Sequence, residues 1–383
     1  MVKFDVRKTR IEHRRLRTAI LYLLSSIVAL SSFGFSFAQS KPAWQAEWEE
    51  TVKAAKQEGE VTVYAPADLS YEQWLRDAFQ KAYPGIRVNY NGGRLSQQVN
   101  RIMAERRAEK YLADLVVGGT TIGNFVLKPA GALRPLAPML ILPEVTVAAG
   151  WFQRKIWFSD MEEKHQIVWQ GTVGAPLSIN KELARAEEFK TLWDMLAPKW
   201  KGKILSQDPR TAGRGYSNAV FLFNSKQYGP NFLRRLYREM DVILSQDLPQ
   251  MVDWLGKGKF ALGLVTQGVK EAIAVGLPIA QVQPEGDLPL TNGVASLSAL
   301  DRAPHPNAAK VLLNWMLSRD GQTAFQKLTG ENSLRTDLPK KGVVTLSEVP
   351  QEGRDYIVQN FERYERAAQE PLKKLFEEII PRQ

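Results

Sequence analysis

Between residues 61 and 121 the chain alternates strand-like and helix-like patterns, and that alternation restricts the fold more than any other feature. Val61–Tyr64 (VTVY) is a short buried strand. Ser70 with Gln73 three residues on reads as a capping box, opening a helix whose Trp74, Leu75, Ala78, Phe79 and Ala82 make one apolar face until Pro84-Gly85 stops it. Ile86, Val88 and Tyr90 alternate along a second strand. After the Gly92-Gly93-Arg94 turn, Ser96 is placed to cap a helix carrying Val99, Ile102 and Met103. Leu115–Val117 is a third strand, followed by Gly118-Gly119-Thr120-Thr121. Upstream, Trp44, Trp48, Val52 and Ala55 recur at helical spacing, with Gly59 as the C′ residue. This order predicts an α/β fold, an open parallel sheet with helices on its faces. Ligands of such sheets sit outside the carboxyl ends of the strands, here the loops 66–68, 92–96 and 118–121.

A second α/β unit follows a connecting strand at Val173–Ile179. Lys203–Leu205 and Phe260–Val265 are strands, each leading into a polar, glycine-bearing loop: Asp208–Ser217 (DPRTAGRGYS), then Thr266-Gln267-Gly268. Gly293–Leu300 is a second connector, Asn307–Phe325 a long helix with Ala308, Val311, Leu312, Trp315 and Met316 inside, and Asp355–Ile380 a charged amphipathic helix. Two similar units joined by short strands predict a hinge with a cleft between lobes.

Composition removes several functions. The chain has 383 residues, enough for two or three folding units. It has no Cys, so disulfides, thiolate metal sites, Cys nucleophiles and lipid attachment at Cys are excluded. Of its 3 His, His165 and His305 lie beyond the leader, in unrelated flanks, which gives little material for a zinc site or a Ser-His-Asp triad. Ser217 lacks the G-x-S-x-G elbow, and Glu162-Glu163 sit in a charged, solvated loop, so no enzyme is expected; an exported hydrolase is the remote alternative. The net charge of +10 divides evenly: +5 belongs to residues 1–38 and +5 to the other 345. That mild excess, without a basic run interleaved with aromatics, predicts no nucleic-acid partner.

Met1–Arg17 is basic, Ala19–Phe35 apolar, and Ser36-Phe37-Ala38 has a small-x-small end. This pattern predicts an export signal, residues 1–38, cut after Ala38; four serines and Gly34 make the stretch a poor spanning helix. Arg14-Arg15 leaves the Sec and twin-arginine routes both open. Without a Cys for a lipid tether, free residence in a periplasm is expected.

Three arginines carry the ligand expectation. Arg94 precedes one helix start, and Arg210 and Arg214 precede another in the second lobe. Helix N-termini favour anions, and the guanidinium fork suits carboxylate or phosphate. Either these residues hold an anionic solute or each makes a local salt bridge. Gly93, Ser96, Thr120, Thr121, Thr266 and Gln267 line the same loops and supply neutral hydrogen bonds or helix caps. Tyr216 stacks on the solute or belongs to the core, and Asp68 binds a hydroxyl or amine or forms a turn. His305 reads as a helix-entry residue, Tyr64 as core, and Trp193 and Trp200 as packing of the second lobe.

Several phrases resemble those of bacterial extracellular solute-binding proteins of the ferric-iron/thiamine/phosphonate branch, with the type II periplasmic fold. They are Trp48–Val63 (WEETVKAAKQEGEVTV), Ala82–Val88 (AYPGIRV), Ala104–Tyr111 (AERRAEKY), Ala113–Thr121 (ADLVVGGTT), Pro198–Ile204 (PKWKGKI) and Ala303–Gln322 (APHPNAAKVLLNWMLSRDGQ). The resemblance implies lobe 1 at 44–175 plus 288–332 and lobe 2 at 176–287 plus 333–383. It implies a monomer without cofactor that captures a small solute and hands it to an inner-membrane ABC permease driven by an ATPase. Ferric-iron members hold metal with adjacent tyrosines at the start of a lobe 2 helix. Here that place reads Gly215-Tyr216-Ser217-Asn218 and no Tyr-Tyr pair occurs, which argues against direct iron binding and leaves an iron or iron-chelate carrier as the alternative.

Overall fold

A computed structural model describes residues 41–380 apart from Ala212 and 265–267. The expected signal and its cut after Ala38, and the expected site residues Thr266 and Gln267, lie outside the described residues. Helix α1 (Ala43–Glu58) leads into β1 (Glu60–Pro66), whose interior residues are all buried. Helix α2, over 69–82, consists of Leu69–Glu72, a π-helical stretch Gln73–Ala78 and Phe79–Ala82. Strand β2 (Arg87–Gly93), helix α3 (Leu95–Arg107) and β3 (Leu115–Gly118) complete the parallel start of the first sheet. Helix α4, over 120–127, and the short strands β4 (Leu133–Arg134), β5 (Trp157–Phe158) and β6 (Ile167–Val168) follow.

The chain then crosses through β7 (Thr172–Val173) to β8 (Leu177–Asn180) and β9 (Ile204–Gln207). The second sheet continues with α5 (Arg214–Asn224), α6 (Gly229–Glu239), β10 (Ile243–Ser245), α7 (Leu248–Gly256), β11 (Leu262–Leu264), α8 (Val269–Ala274) and β12 (Ile279–Val282). The return runs through β13 (Leu290–Thr291) to β14 (Ser296–Leu300), then α9 (Pro306–Leu317) and α10 (Arg319–Thr329). Helix α11 (Glu362–Ile379) ends the described chain.

Among the described residues the first sheet is ordered β2-β1-β3-β14-β6-β5, with β4 also on β14, and the second β10-β9-β11-β8-β12. Each contains three mutually parallel strands and one strand delivered from the other lobe, β14 or β8, which runs antiparallel to its neighbours. The direction has a simple cause. A strand entering from the cleft arrives at the carboxyl ends of the parallel strands and must run against them. The two crossings pair with each other, Val173 with Leu290 and Thr172 with Thr291.

The first core centres on an aromatic nest. Trp74 lies 5.0 Å from Phe325 and 5.4 Å from Trp169, ring centre to ring centre, and its indole N–H donates to the Gly321 carbonyl at 2.8 Å. The second core gathers Phe221, Tyr228, Phe232, Trp193 and Trp200, as expected for the two tryptophans. Tyr64 is core and His305 caps α9, also as expected.

Four local expectations are corrected. Asp68, not Ser70, caps α2, its carboxylate accepting from the Tyr71 N–H at 3.0 Å, which opens the helix two residues earlier than the capping box would. Arg94, not Ser96, is the N-cap of α3; starting two residues earlier seats Leu95 in the space that Gly118 leaves by lacking a Cβ. The helix expected over 307–325 is two, broken at Ser318, whose hydroxyl accepts from the Gly321 N–H at 3.1 Å. The terminal helix begins at Glu362 rather than Asp355. Residues 355–358 instead run non-helical, bridging Pro289 through Ile357, and 358–361 close a turn before α11, burying Tyr356, Val358 and Phe361 in the first core. Leu334 joins that core too. Within the stretch 333–361, assigned above to lobe 2, Leu334, Tyr356, Val358 and Phe361 pack in the first core while Ile357 packs against the second, which α11 joins.

Helix α5 is pressed against the end of β9 by Gly215. A Cβ there would lie 2.6 Å from the Gln207 carbonyl oxygen and 2.8 Å from that of Asp208, backbone atoms with no way to retreat. Gly215→Ala is expected to lower stability by roughly 1–3 kcal/mol, measured by urea unfolding, and to displace the start of α5.

Candidate functional site

The carboxyl edges of both sheets face each other across the crossing strands, and a cavity of about 490 Å³ lies there, within the range of small-molecule sites. Thr172, Val173 and Thr291 of the crossings line it, with Gln170, Gly293 and Glu331 from the first lobe and Arg214, Asn218, Gly268 and Lys270 from the second. Gln359, on the third crossing, closes one side. Ser347 and Glu348 lie on another wall, where Lys270 reaches the Glu348 carboxylate at 2.8 Å.

Arg214 is the first residue of α5, and Asn218 follows one turn later on the same face. The Arg214 side chain lines the cavity and, among the described residues, makes no hydrogen bond or ion pair. Desolvation by the surrounding walls lowers its pKa, and the Glu331 charge across the cavity acts the other way. Glu331 follows the left-handed Gly330 that ends α10. Its carboxylate accepts from Gln170 Nε2 at 2.7 Å and Thr172 Oγ1 at 3.1 Å, which fixes it beside the hinge. Behind Gln170 the Tyr71 hydroxyl is fully enclosed; burial first, then the charges of Glu331 and Asp68, raise its pKa well above the usual phenol value, so it is a neutral group.

A larger hollow of about 660 Å³ lies on the other side of the start of α5. Thr121 and Phe125 line it from the first lobe, Arg210 and Tyr216 from the second, and Glu365, Leu372 and Phe376 from α11. Glu365 is 7% exposed and accepts from Thr121 Oγ1 at 2.6 Å. Burial pushes its pKa up to about 7, against the lowering effect of that hydrogen bond. Burial and the neighbouring Glu365 raise that of Tyr216.

The expected site residues are thus divided. Arg214 reaches the hinge cavity. Thr121, Arg210 and Tyr216 line the larger hollow, with Arg210 bound to Asp208 through its Nε at 3.0 Å and a terminal nitrogen at 2.7 Å. Thr120 is buried and donates to the Asn360 carbonyl at 2.6 Å, fastening the third crossing rather than facing a solute. Asp68 caps α2, Gly93 ends β2 opposite Pro66, and Arg94 and Ser96 lie exposed at the start of α3. None of these five lines either cavity. Sequence reasoning missed Gln170, Glu331 and Gln359. Their one local signal was polarity in buried surroundings, as in Glu331-Asn332-Ser333 after a helix-ending glycine.

His305 bonds Asp114 at 3.0 Å, away from both cavities. Asp160, Glu162 and His165 come within metal-ligand reach of one another. However, Asp160 already accepts from the backbone N–H groups of Lys164, His165 and Gln166, and Glu162 pairs with Lys128 at 2.7 Å. The two carboxylates of that grouping are thus already engaged, while His165 Nδ1 has no hydrogen-bond partner among the described residues.

Residues 64–323 match the family model of bacterial extracellular solute-binding proteins, about two thirds of the chain. The chain belongs to that family. This solute-binding protein also shares its fold with solved structures of low sequence identity. The Trichodesmium protein IdiA (FutA), in complex with iron and citrate ligands, superposes with a TM-score of 0.64 at 18% identity, covering 84% of this chain and 99% of that one. Iron-bound HitA from Pseudomonas aeruginosa gives 0.60 at 16% identity, over 84% and 99%. The periplasmic binding protein AfuA from Actinobacillus pleuropneumoniae, with fructose-6-phosphate bound, gives 0.57 at 18%, over 84% and 98%. The fold is the type II periplasmic binding protein fold. Among the described residues of the solute-binding protein, no helix is long and apolar enough to cross a membrane.

Because Glu365 holds its proton to about pH 7 in the folded chain, the unfolded chain releases that proton first, near the ordinary value of 4.5. Its contribution is present in full below that value and is lost as pH rises toward 7. Glu365→Gln is expected to match the parent at pH 4 and to exceed it at pH 8 by roughly 1–3 kcal/mol, as read from urea unfolding at the two pH values.

Proposed function

We propose that this protein captures a small organic solute bearing an anionic group and delivers it to an inner-membrane ABC permease with its ATPase. It does so as a monomer in the periplasm, after removal of residues 1–38. The observation that carries this reading is Arg214. It is a guanidinium with no partner among the described residues, at a helix start, in a cavity whose floor is the strand pair linking the lobes. Carboxylate or phosphate there gains a charge-assisted, forked hydrogen bond and the N-terminal end of the α5 dipole together.

Delivery follows from the way the cavity is walled. A solute held by Arg214 from one lobe and by Gln170, Thr172 or Glu331 from the other ties the lobes together across β7 and β13. Closure thereby depends on occupancy, and the permease reads the closed form. The role requires no bond to be made or broken. Ser217 is one turn from Gly213 on α5, while His165 and His305 lie beside Asp160 and Asp114. Citrate in IdiA and fructose-6-phosphate in AfuA are anionic organic guests on this fold, which supports a similar class here. A bare ferric ion is disfavoured by a single tyrosine, Tyr216, whose phenol is held protonated by its surroundings.

Replacing Arg214 by Ala is expected to weaken capture by roughly 1.5–3 kcal/mol, measured by titration calorimetry, and to abolish solute-induced compaction in small-angle X-ray scattering. An unaltered dissociation constant would remove Arg214 from the site.

A further inference from the structure

The hinge cavity presents negative as well as positive charge to its guest. Its charged lining residues are Arg214, Lys270, Glu271, Glu331 and Glu348, three carboxylates against two cations. Lys270 is taken by Glu348 at 2.8 Å, which leaves Arg214 as the cation facing the space. Among the described residues Glu331 is bonded by two neutral donors, Gln170 Nε2 and Thr172 Oγ1, and by no cation. It makes no ion pair with Arg214, although each feels the other's charge. One further acceptor stands in the wall: Gln359 is 5% exposed, and its side-chain carbonyl oxygen has no hydrogen-bond partner.

A guest that is only an anion satisfies Arg214 and leaves the rest worse than before. It sets a second negative charge against Glu331 in a space being emptied of water, and it brings no donor for Gln359. A guest with an ammonium group at its other end corrects both faults. The ammonium neutralises Glu331 with a charge-assisted bond and has further N–H donors for the Gln359 carbonyl. Such a guest also links the lobes by opposite charges at opposite ends, Arg214 from the second and Glu331 from the first.

Resting on the capture reading above, we infer that the solute is zwitterionic: an acid group seated on Arg214 and a protonated amine seated between Glu331 and Gln359.

The test is titration calorimetry of the protein with three matched probe sets: the common α-amino acids with straight-chain ω-amino acids up to six carbons, the hydroxy acids of the same skeletons, and straight-chain dicarboxylates with glucose-6-phosphate. At least one amino acid is expected to bind about tenfold or more tighter than its hydroxy counterpart and than any dicarboxylate or phosphate ester. Glu331→Gln, which keeps both neutral hydrogen bonds possible, should erase that preference, bringing the best amino acid to within about twofold of its hydroxy counterpart. Gln359→Leu provides a second variant that removes a partnerless acceptor without breaking any bond, and it should also reduce the preference for the amine. Binding of a dicarboxylate or phosphate ester as tight as the best amine would overturn the inference while leaving anion capture intact, provided Arg214→Ala still abolishes it. Equal weakening of every probe by Glu331→Gln would overturn it as well, since Glu331 would then be a lobe-closing partner of Arg214. If no amine-bearing acid binds, the inference falls; if no probe of any set binds or compacts the chain, the capture reading falls with it.

Discussion

The chain passes between its two sheets along neighbouring paths, and the geometry of those passages governs the rest. The strands β7 and β13 pair with each other, and residues 355–361 run beside them through the Pro289–Ile357 bridge. Each passage that becomes a strand must enter its new sheet at the carboxyl edge, which fixes β8 and β14 as antiparallel strands and brings both carboxyl edges to one cleft. A cavity between the lobes is therefore a consequence of connectivity. The hydrogen bonds that hold Glu331 to Gln170 and Thr172 make the passage itself part of the cavity wall.

Electrostatics assigns the arginines different work. Arg210 and Arg214 are only four residues apart, yet the first is neutralised by Asp208 two residues before it and the second, at the start of α5, has no partner among the described residues. A charge already paired offers little to a solute, because the existing bond must be broken to form the new one. An unpaired guanidinium on a cavity wall is already stripped of part of its water and gains more from an incoming anion. The same reasoning sets Glu331 apart from Glu348, which Lys270 already satisfies. Glu365 is a third case, an acid buried deeply enough to keep its proton near neutrality while fastening α11 to Thr121.

Much of the fold is legible in the sequence because it depends on short-range pattern. The alternation at Ile86, Val88 and Tyr90, the glycine after α1 and the apolar stripe of α3 each mark an element directly. Errors fall where two local signals compete and tertiary packing chooses. Ser96 and Arg94 are both admissible starts for α3, and the space above Gly118 that Leu95 fills decides for Arg94. Ser318 reads as an ordinary helix residue until Trp74 claims the Gly321 carbonyl and the chain turns there. The charged tail 355–380 looks helical throughout, but its first seven residues place Tyr356, Val358 and Phe361 in the first core and Ile357 against the second, which a non-helical path allows and a continuous helix does not.

The sequence alone determined the class of fold, the two lobes, the hinge strands and the family, since these rest on periodicity, turn residues and recurring phrases along the chain. Only the tertiary structure decided which polar side chains share a space. Arg214, Gln170, Glu331 and Gln359 come from four separate stretches, and no spacing in the chain relates them. Whether a charge is paired, buried or free is a property of its neighbours in space, and the passages between lobes, rather than any local motif, choose those neighbours.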